Sequence, residues 1–463
     1  MTEDTKIILR IFSKTNVLKP MVYSSLIERK WMEILGQGIL PEHKQLFIDL
    51  LTRAMDEVAP GKLLAQRMRI AKDDSNIAVL ALGKAADPMA RASINILGGR
   101  ITTGLVISKA PSQIADSRFC CMVGSHPIPD EKSLACGQKI ESFLSGLPSS
   151  TTLVVLLSGG SSSLAILPVE GISVDYYREI TQQMLIKGLT IHEINALRSC
   201  IDRLKGGGFV KMTAARTIQT YILSDVIGND LATIGSGPTI IADIDQPAVG
   251  KKLTALGGCV DSKFLEAISP VITPTVCSKT MQKKWITHEI IGDNALARHS
   301  IANKLIDYGI PVKVIGDPIL GEASDVGKKI GQFAKELAVR GEVGAWVWGG
   351  ETTVTVSGSG SGGRNLETAL AAVEQIAGED EIALLTFATD GEDSTTGMAG
   401  ALITNLTNKT GLMLGCEPNR YLDANDSLAY FLKLGGLIRT GSTGNNLNDL
   451  VVVIIGLSRF NHG

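Results

Sequence analysis

Leu153-Val-Val-Leu-Leu-Ser-Gly-Gly-Ser-Ser-Ser163 is the stretch that decides the fold. Five apolar residues in a row end abruptly in a hydroxyl and two glycines. A run this short and continuous reads as a strand buried on both faces of a parallel sheet, since a half-solvated strand would alternate. Ile77–Leu82, Tyr221–Leu223, Val312–Ile315, Ile382–Ala388 and Val451–Ile455 repeat the pattern. Between several of them the apolar spacing turns helical. Ala323, Val326, Ile330, Phe333, Ala334 and Leu337 make one stripe; Leu366, Ala369, Leu370, Val373 and Ile376 make another. Leu46, Phe47, Leu50, Leu51, Ala54, Met55 and Val58 form an earlier helix that Pro60-Gly61 closes. The reading is an α/β protein with largely parallel sheets.

At roughly 150 residues per domain, 463 residues suggest about three domains, or two large α/β ones. Asp243, Asp245, Pro247, Gly257, Gly258, Pro270 and Pro274 punctuate a weakly periodic stretch, which puts a boundary between 245 and 290. Residues 1–43 then read as an N-terminal extension, 44–285 as a first domain and 286–463 as a second.

Composition removes several function classes. At 44% hydrophobic and 20% charged the chain is too apolar for disorder. Its 45 Lys and Arg against 47 Asp and Glu leave net −2, which argues against a broad nucleic-acid surface. The apolar run Leu450–Leu457 is far short of the roughly twenty residues of a membrane helix. Glu3, Asp4, Lys6, Arg10 and Lys14 interrupt any secretory signal, and the seven scattered cysteines form no C-x-x-C pair, so a cytoplasmic location is expected. The six histidines form no H-E-x-x-H pattern, and a structural zinc site is not expected. Glycine is in excess, 49 residues, clustered in short loops.

Ligands of open parallel sheets bind beyond the carboxyl ends of strands, so the residues after each apolar run matter most. Lys84, in Gly83-Lys84-Ala85-Ala86, could aim its ammonium at a phosphate or carboxylate, although a lone strand-end lysine is more often a surface residue. Ser158, Gly159, Gly160, Ser161 and Ser162 could cradle an anion if a helix starts there, or form a plain Ser/Gly loop. Asn195 and Arg198 share one helix face and Lys205 lies further along, either as an anion-binding edge or as a solvated face. Asp225 and Asp390 each end a strand, where a carboxylate suits Mg²⁺ or general-base work but also caps helices. Gly358 to Gly363 satisfies G-x-G-x-x-G, but Arg364-Asn365 follows where a dinucleotide needs close backbone approach.

Together these segments resemble the class II glycerate 2-kinases, whose C-terminal part is the MOFRL domain. The resemblance is carried, in order, by Gly83-Lys84-Ala85-Ala86, His126-Pro127-Ile128-Pro129-Asp130, Leu157-Ser158-Gly159-Gly160, Asn195-Ala-Leu-Arg198, Lys205-Gly206-Gly207 and Ser224-Asp225-Val226. It continues through Ser236-Gly237-Pro238-Thr239, Gly349-Gly350-Glu351-Thr352, Gly362-Gly363-Arg364-Asn365, Thr389-Asp390-Gly391 and Asn448-Asp449-Leu450. It implies a Rossmann-like first domain, a MOFRL second domain and an active site in the cleft between them. It also implies transfer of the γ-phosphoryl of ATP to the 2-hydroxyl of D-glycerate with Mg²⁺, and leaves homo-oligomerisation open.

On this resemblance Arg364 takes the substrate carboxylate or the transferring phosphoryl group, and Lys84 contacts phosphate. Asp225 and Asp390 compete for the metal and general-base roles. The chain departs from the family pattern at Ser161, Ser199, Cys200, Asp202, Asn229, Leu366, Ser394, Thr395 and Asn445. Those departures keep two alternatives open: a kinase for a related small sugar acid, and a catalytically silent nucleotide- or acid-binding homologue.

Overall fold

The computed structural model describes residues 32–460 apart from 37–40, 72–73, 187–188, 190, 242–283, 379 and 395. Strand β1 (Glu33–Ile34) comes first, followed by β2 (Ile77–Leu82), β3 (Ile101–Ser108), β4 (Phe119–Val123), β5 (Thr152–Ser158), β6 (Thr217–Leu223) and β7 (Trp285–Gly292). Later come β8 (Val312–Val314), β9 (Ile319–Glu322), β10 (Gly344–Thr353) and β11 (Ile382–Ala388). The last three are β12 (Gly400–Thr404), β13 (Leu437–Arg439) and β14 (Asp449–Ile455).

Strands β2 to β7 form one all-parallel sheet in the order β4-β3-β2-β5-β6-β7. The chain winds outward from β2 to β4, returns beside β2 as β5, and winds the other way. That reversal leaves a crevice beyond the carboxyl ends of β2 and β5, the switch point of a doubly wound sheet. Both central strands are buried at every residue, which is why they read as unbroken apolar runs. Ile140, Leu144 and Phe209 pack with Leu80, Leu105 and Val155 in the core on one face.

The second sheet runs β1-β13-β12-β11-β14-β10-β8, with β9 also on β10. Here the expectation of parallel strands gives way to a mixed sheet. β14 lies antiparallel between β10 and β11, β12 is antiparallel to β11, and β8 and β9 run parallel to β10. The apolar runs could not report this. Helices Asn294–Asp307, Ala323–Val339 and Arg364–Ala372 pack on this sheet, and a strand buried on both faces has the same composition whichever way its neighbours point. Trp346, Trp348, Leu370, Leu384, Val451 and Val453 sit in this core.

Two expected limits fall differently in space. β1, inside the segment read as an extension, pairs antiparallel with β13. β7 continues the first sheet to Gly292, past the division expected at 285. Most of the punctuated stretch, residues 242–283, lies outside the described residues.

Specific bonds tie the helices Pro41–Glu57 and Asn294–Asp307 and the loop before β14 to one another. Ser300 Oγ donates to Ala54 O at 3.0 Å and to Glu57 Oε2 at 2.9 Å. Asn294 Nδ2 donates to Leu447 O at 2.8 Å and Asp449 O at 3.1 Å, and Asn445 Nδ2 to Val58 O at 2.9 Å. The loop before β14 is thereby held over the carboxyl edge of the first sheet. Among the described residues no helix is long and apolar enough to cross a membrane.

Candidate active site

The crevice at the switch point is built from backbone first. Gly83 leaves β2 at φ +130°, and a Cβ there would lie 2.2 Å from Ser158 Oγ, so only glycine fits. Lys84 N donates to Gly159 O at 2.9 Å and Ala85 N to Ser158 Oγ at 2.9 Å. These bonds stitch the ends of β2 and β5 together. The buried Ser158 hydroxyl thus accepts from the chain's own backbone and positions the loop.

Lys84 then reaches across to the second sheet, where its Nζ pairs with Asp390 Oδ2 at 2.7 Å. Asp390 is held in turn, its Oδ1 accepting from Glu392 N at 3.0 Å. Asp225, after β6, accepts from Asn446 Nδ2 at 2.7 Å. A Cβ on Gly159 would lie 1.9 Å from Asp225 Oδ2 and 2.0 Å from Asn446 Nδ2, so the bare glycine backbone is what lets carboxylate and amide come this close. Burial pushes the Asp225 carboxyl above its ordinary pKa, while Lys84 and the Asn446 bond pull it back. His126 lies against Gly160, where a Cβ would be 2.9 Å from its ring. Burial, with Lys84 and Lys109 nearby, lowers the imidazole pKa to about 4, so the ring is neutral at pH 7.

A helix does start at Ser161, but it is only four residues long, Ser161–Leu164. Ser162 Oγ lies 3.1 Å from Ser236 Oγ, which bonds Asn195 Oδ1 at 2.9 Å, while Ser161 Oγ is buried without a partner. Beside this hydroxyl cluster is a cavity of about 150 Å³ lined by Asn195, Ser199, Asp230, Thr233 and Ser236. A second cavity, about 370 Å³, lies between the halves, with Lys84, Arg91, Lys109, Asp390, Glu392 and Thr443 in its wall. A third cavity, about 890 Å³ and lined by His43, Leu406, Leu414 and Leu432 among others, touches Ile382 at the opposite end of β11 from Asp390. It is remote from this chemistry.

Sequence comparison now bears on this geometry. Residues 46–256 match the family described as Domain of unknown function (DUF4147), and residues 344–449 match the MOFRL family. A D-glycerate 2-kinase of Thermotoga maritima is 31% identical over 417 residues, spanning 89% of this chain and 98% of that protein. A glycerate 2-kinase of Pyrococcus horikoshii is 34% identical over 409 residues, spanning 86% and 91%. The chain belongs to the glycerate 2-kinase family. A crystal structure of the glycerate kinase from Thermotoga maritima superposes with a TM-score of 0.81, covering 90% of this chain and all of that one.

Several residues expected at the glycerate 2-kinase site engage other groups of the chain itself. Arg364 Nε and a terminal nitrogen form a two-point pair with Asp449 at 2.5 and 3.0 Å, and the other terminal nitrogen lies 3.3 Å from Glu351. The guanidinium fork expected to meet substrate is thus held by carboxylates of its own sheet. Burial works against the charge of Arg364, but Asp449 and Glu351 more than offset it and raise its pKa. Lys205 is buried, donating to Ser162 O and Ala165 O at 3.0 Å, with Asp202 at 3.9 Å. It braces the serine loop from behind. Arg198 Nε and Asn195 Nδ2 are buried without a partner, and Asn195 lines the 150 Å³ cavity beside the serine loop.

The G-x-G-x-x-G segment serves packing. A Cβ on Gly358 or Gly360 would strike Ala424 or Asp426, and one on Gly363 would lie 2.4 Å from the Asp393 carboxyl. Asp393 occupies the start of helix Arg364–Ala372, accepting from Asn365 N at 3.0 Å and Leu366 N at 2.8 Å. An intrinsic carboxylate therefore sits where a pyrophosphate would bind.

Burial pushes the Asp393 carboxyl up to about 6, against the pull of those two amides. The folded chain therefore takes up this proton at a pH where the unfolded chain, with an ordinary carboxyl near 4, is still ionised. The contribution of this group to stability rises as pH falls between those values, by at most about 1.4 kcal/mol per pH unit. In urea unfolding from pH 7 to 4.5, the stability of the native chain relative to Asp393→Asn rises as pH falls. A gap that stays constant would refute this.

Several departures from the family pattern also acquire a local cause. Asn229, at φ +57°, donates to Asp293 Oδ2 at 2.7 Å, where a second carboxylate would be repelled. The expected loss of a metal carboxylate at 229 thus concerns a residue engaged with Asp293. Asp202 accepts from Leu167 N and Leu204 N and accompanies Lys205. Cys200 and Leu366 are core residues, and Thr395 lies outside the described residues.

Sequence reasoning gave no role to Lys109, Glu392 or Asn446. Lys109 was detectable by the rule that found Lys84, because it directly follows β3. Thr102, Thr103 and Gly104 break the apolar run of that strand.

Proposed function

We propose that the chain transfers the γ-phosphoryl of ATP to the 2-hydroxyl of D-glycerate, giving 2-phosphoglycerate and ADP. The observation that carries this reading is the Lys84–Asp390 pair across the switch-point crevice, with Asp225 beside it. Phosphoryl transfer is mostly positioning and charge neutralisation, which calls for cations and carboxylates delivered from both sides of a cleft.

In this reading the Lys84 ammonium neutralises the transferring group. Asp225, whose buried carboxyl has a raised proton affinity, accepts the proton of the acceptor hydroxyl as its oxygen bonds to the γ-phosphorus and the bond to the ADP oxygen breaks. Asp225 and Asp390 also fit Mg²⁺, a hard cation commonly bound by one or two carboxylates together with substrate phosphates. That ion would supply charge neutralisation of the phosphates. Among the described residues no three His, Cys, Asp or Glu side chains converge on a metal site, and magnesium held through phosphates needs none. Arg364 supports the reading as a positioning residue that ties Asp449 and Glu351 into one wall. Cys120, Cys121, Cys136, Cys200 and Cys416 are unpaired, which suits the reducing cytoplasm where we place this chemistry.

A second acceptor is favoured by one observation. Ser199, where the family pattern has lysine, lines the 150 Å³ cavity without bringing a charge. A related small hydroxy acid is therefore the runner-up substrate. Incubating purified protein with MgATP and D-glycerate and reading products by ³¹P NMR should give the 2-phosphoglycerate resonance. Silence with D-glycerate and a phosphomonoester with another hydroxy acid would replace the substrate. Silence with every acid would end the kinase reading.

A further inference from the structure

We infer that Lys109 is a second phosphate-contacting lysine, and that it reads the polyphosphate of the nucleotide rather than the acceptor. This deepens the proposed function and rests on it. Lys109 follows β3 as Lys84 follows β2, on neighbouring strands of one parallel sheet. Each lysine crosses the same crevice to a carboxylate of one turn in the second sheet, Lys84 to Asp390 and Lys109 to Glu392. Both ion pairs line the 370 Å³ cavity between the halves.

The supports of Lys109 are local and rigid. Ser108 Oγ donates to Ala110 O at 2.6 Å, and the loop beyond is tied to helix Ala86–Leu97 through Asp87 Oδ1. That oxygen accepts from Ser112 Oγ at 2.5 Å and Gln113 N at 3.0 Å. These bonds hold the backbone on either side of Lys109, while its part-exposed ammonium can change partner. A carboxylate and a phosphate oxygen are equivalent acceptors for an ammonium, so the arriving polyphosphate replaces Glu392. The pair is half-exposed, 38% for Lys109 and 36% for Glu392, so it adds little to stability and its exchange costs little. The 370 Å³ cavity, which holds Lys84 and Lys109 together in its wall, offers two ammonium groups to one polyphosphate.

The test separates a ligand contact from a brace between the halves, because two variants break the same ion pair. Calorimetric titration of the full-length protein with ATP, ADP, AMP and adenosine measures binding without turnover. Lys109→Met should weaken ATP and ADP about ten-fold, or about 1.4 kcal/mol, and leave adenosine unchanged. Lys109→Arg should recover most of the loss. Glu392→Gln, which frees the lysine, should tighten ADP measured without divalent cation two- to three-fold. In steady state, Lys109→Met should raise KM for MgATP while KM for D-glycerate holds. Equal losses for adenosine and ATP, or parallel losses in Lys109→Met and Glu392→Gln, would make the pair a structural brace and overturn the inference. A selective rise in the glycerate KM would also overturn it. Because binding is read directly, a protein that binds ATP as described but fails to phosphorylate glycerate would refute the acceptor and leave Lys109 in place.

Discussion

Replacing Lys84 with alanine should lower kcat for glycerate phosphorylation by about 10²- to 10³-fold while the chain stays folded. The size follows from the loss of one preorganised charge facing a transferring group in a partly desolvated cleft. Side-chain exposures of 19% for Lys84 and 12% for Asp390 mean that water would replace the ammonium poorly. Folding should survive because the structural work at this position is done by backbone. The bonds from Lys84 N to Gly159 O and from Ala85 N to Ser158 Oγ do not involve the side chain. Lys84→Arg should recover only a small part of the rate, since a planar fork does not reproduce a compact ammonium on the same stem. Rate assays with MgATP and D-glycerate, beside circular-dichroism melts, check both halves of the statement. Near-native turnover in Lys84→Ala would remove the lysine from the mechanism.

The largest loss of stability is expected from Arg364→Ala, about 3–5 kcal/mol in denaturant unfolding. Asp449 has only 3% side-chain exposure and receives two bonds from the guanidinium. Removing the arginine strands that carboxylate, and Glu351, whose half-exposed carboxyl is already pushed up in pKa by partial desolvation, loses its cation as well. The double variant Arg364→Ala, Asp449→Asn should regain a large share of the stability, because the uncompensated charge is gone. Turnover separates the two roles of the arginine. A double variant that is stable and regains rate marks Arg364 as a residue that positions the wall. One that is stable yet inactive returns Arg364 to direct contact with the reacting groups. A single variant as stable as the native chain would refute the burial argument.

Much of the crevice was legible because burial leaves a one-dimensional trace. β2, β5, β6, β11 and β14 appear as apolar runs, and the residues after them include Lys84, Gly159, Gly160, Asp225 and Asp390. Strands with polar or exposed positions left no such trace. β3 carries Thr102 and Thr103, and β4 and β7 are mostly exposed or half-buried, so Lys109 at the end of β3 was missed with them. Side-chain direction was also illegible. Ser158, Lys205 and Arg364 sit in the right motifs, yet the first two engage the chain's own backbone and the third its own carboxylates.

By itself, then, the sequence determined that buried strands alternate with amphipathic helices and that small, acidic and basic residues gather just beyond the strand ends. Hydrophobic burial and the conformational needs of glycine are local properties of a chain, and a linear pattern records them. Only the tertiary structure decided that β14 inserts antiparallel between β10 and β11 and that Asn446 meets Asp225 across 221 residues. The same holds for Asp390, which lies 306 residues beyond the Lys84 it pairs with. Ion pairs and hydrogen bonds act over a few ångströms of space, and separation along the chain does not say which groups will share them.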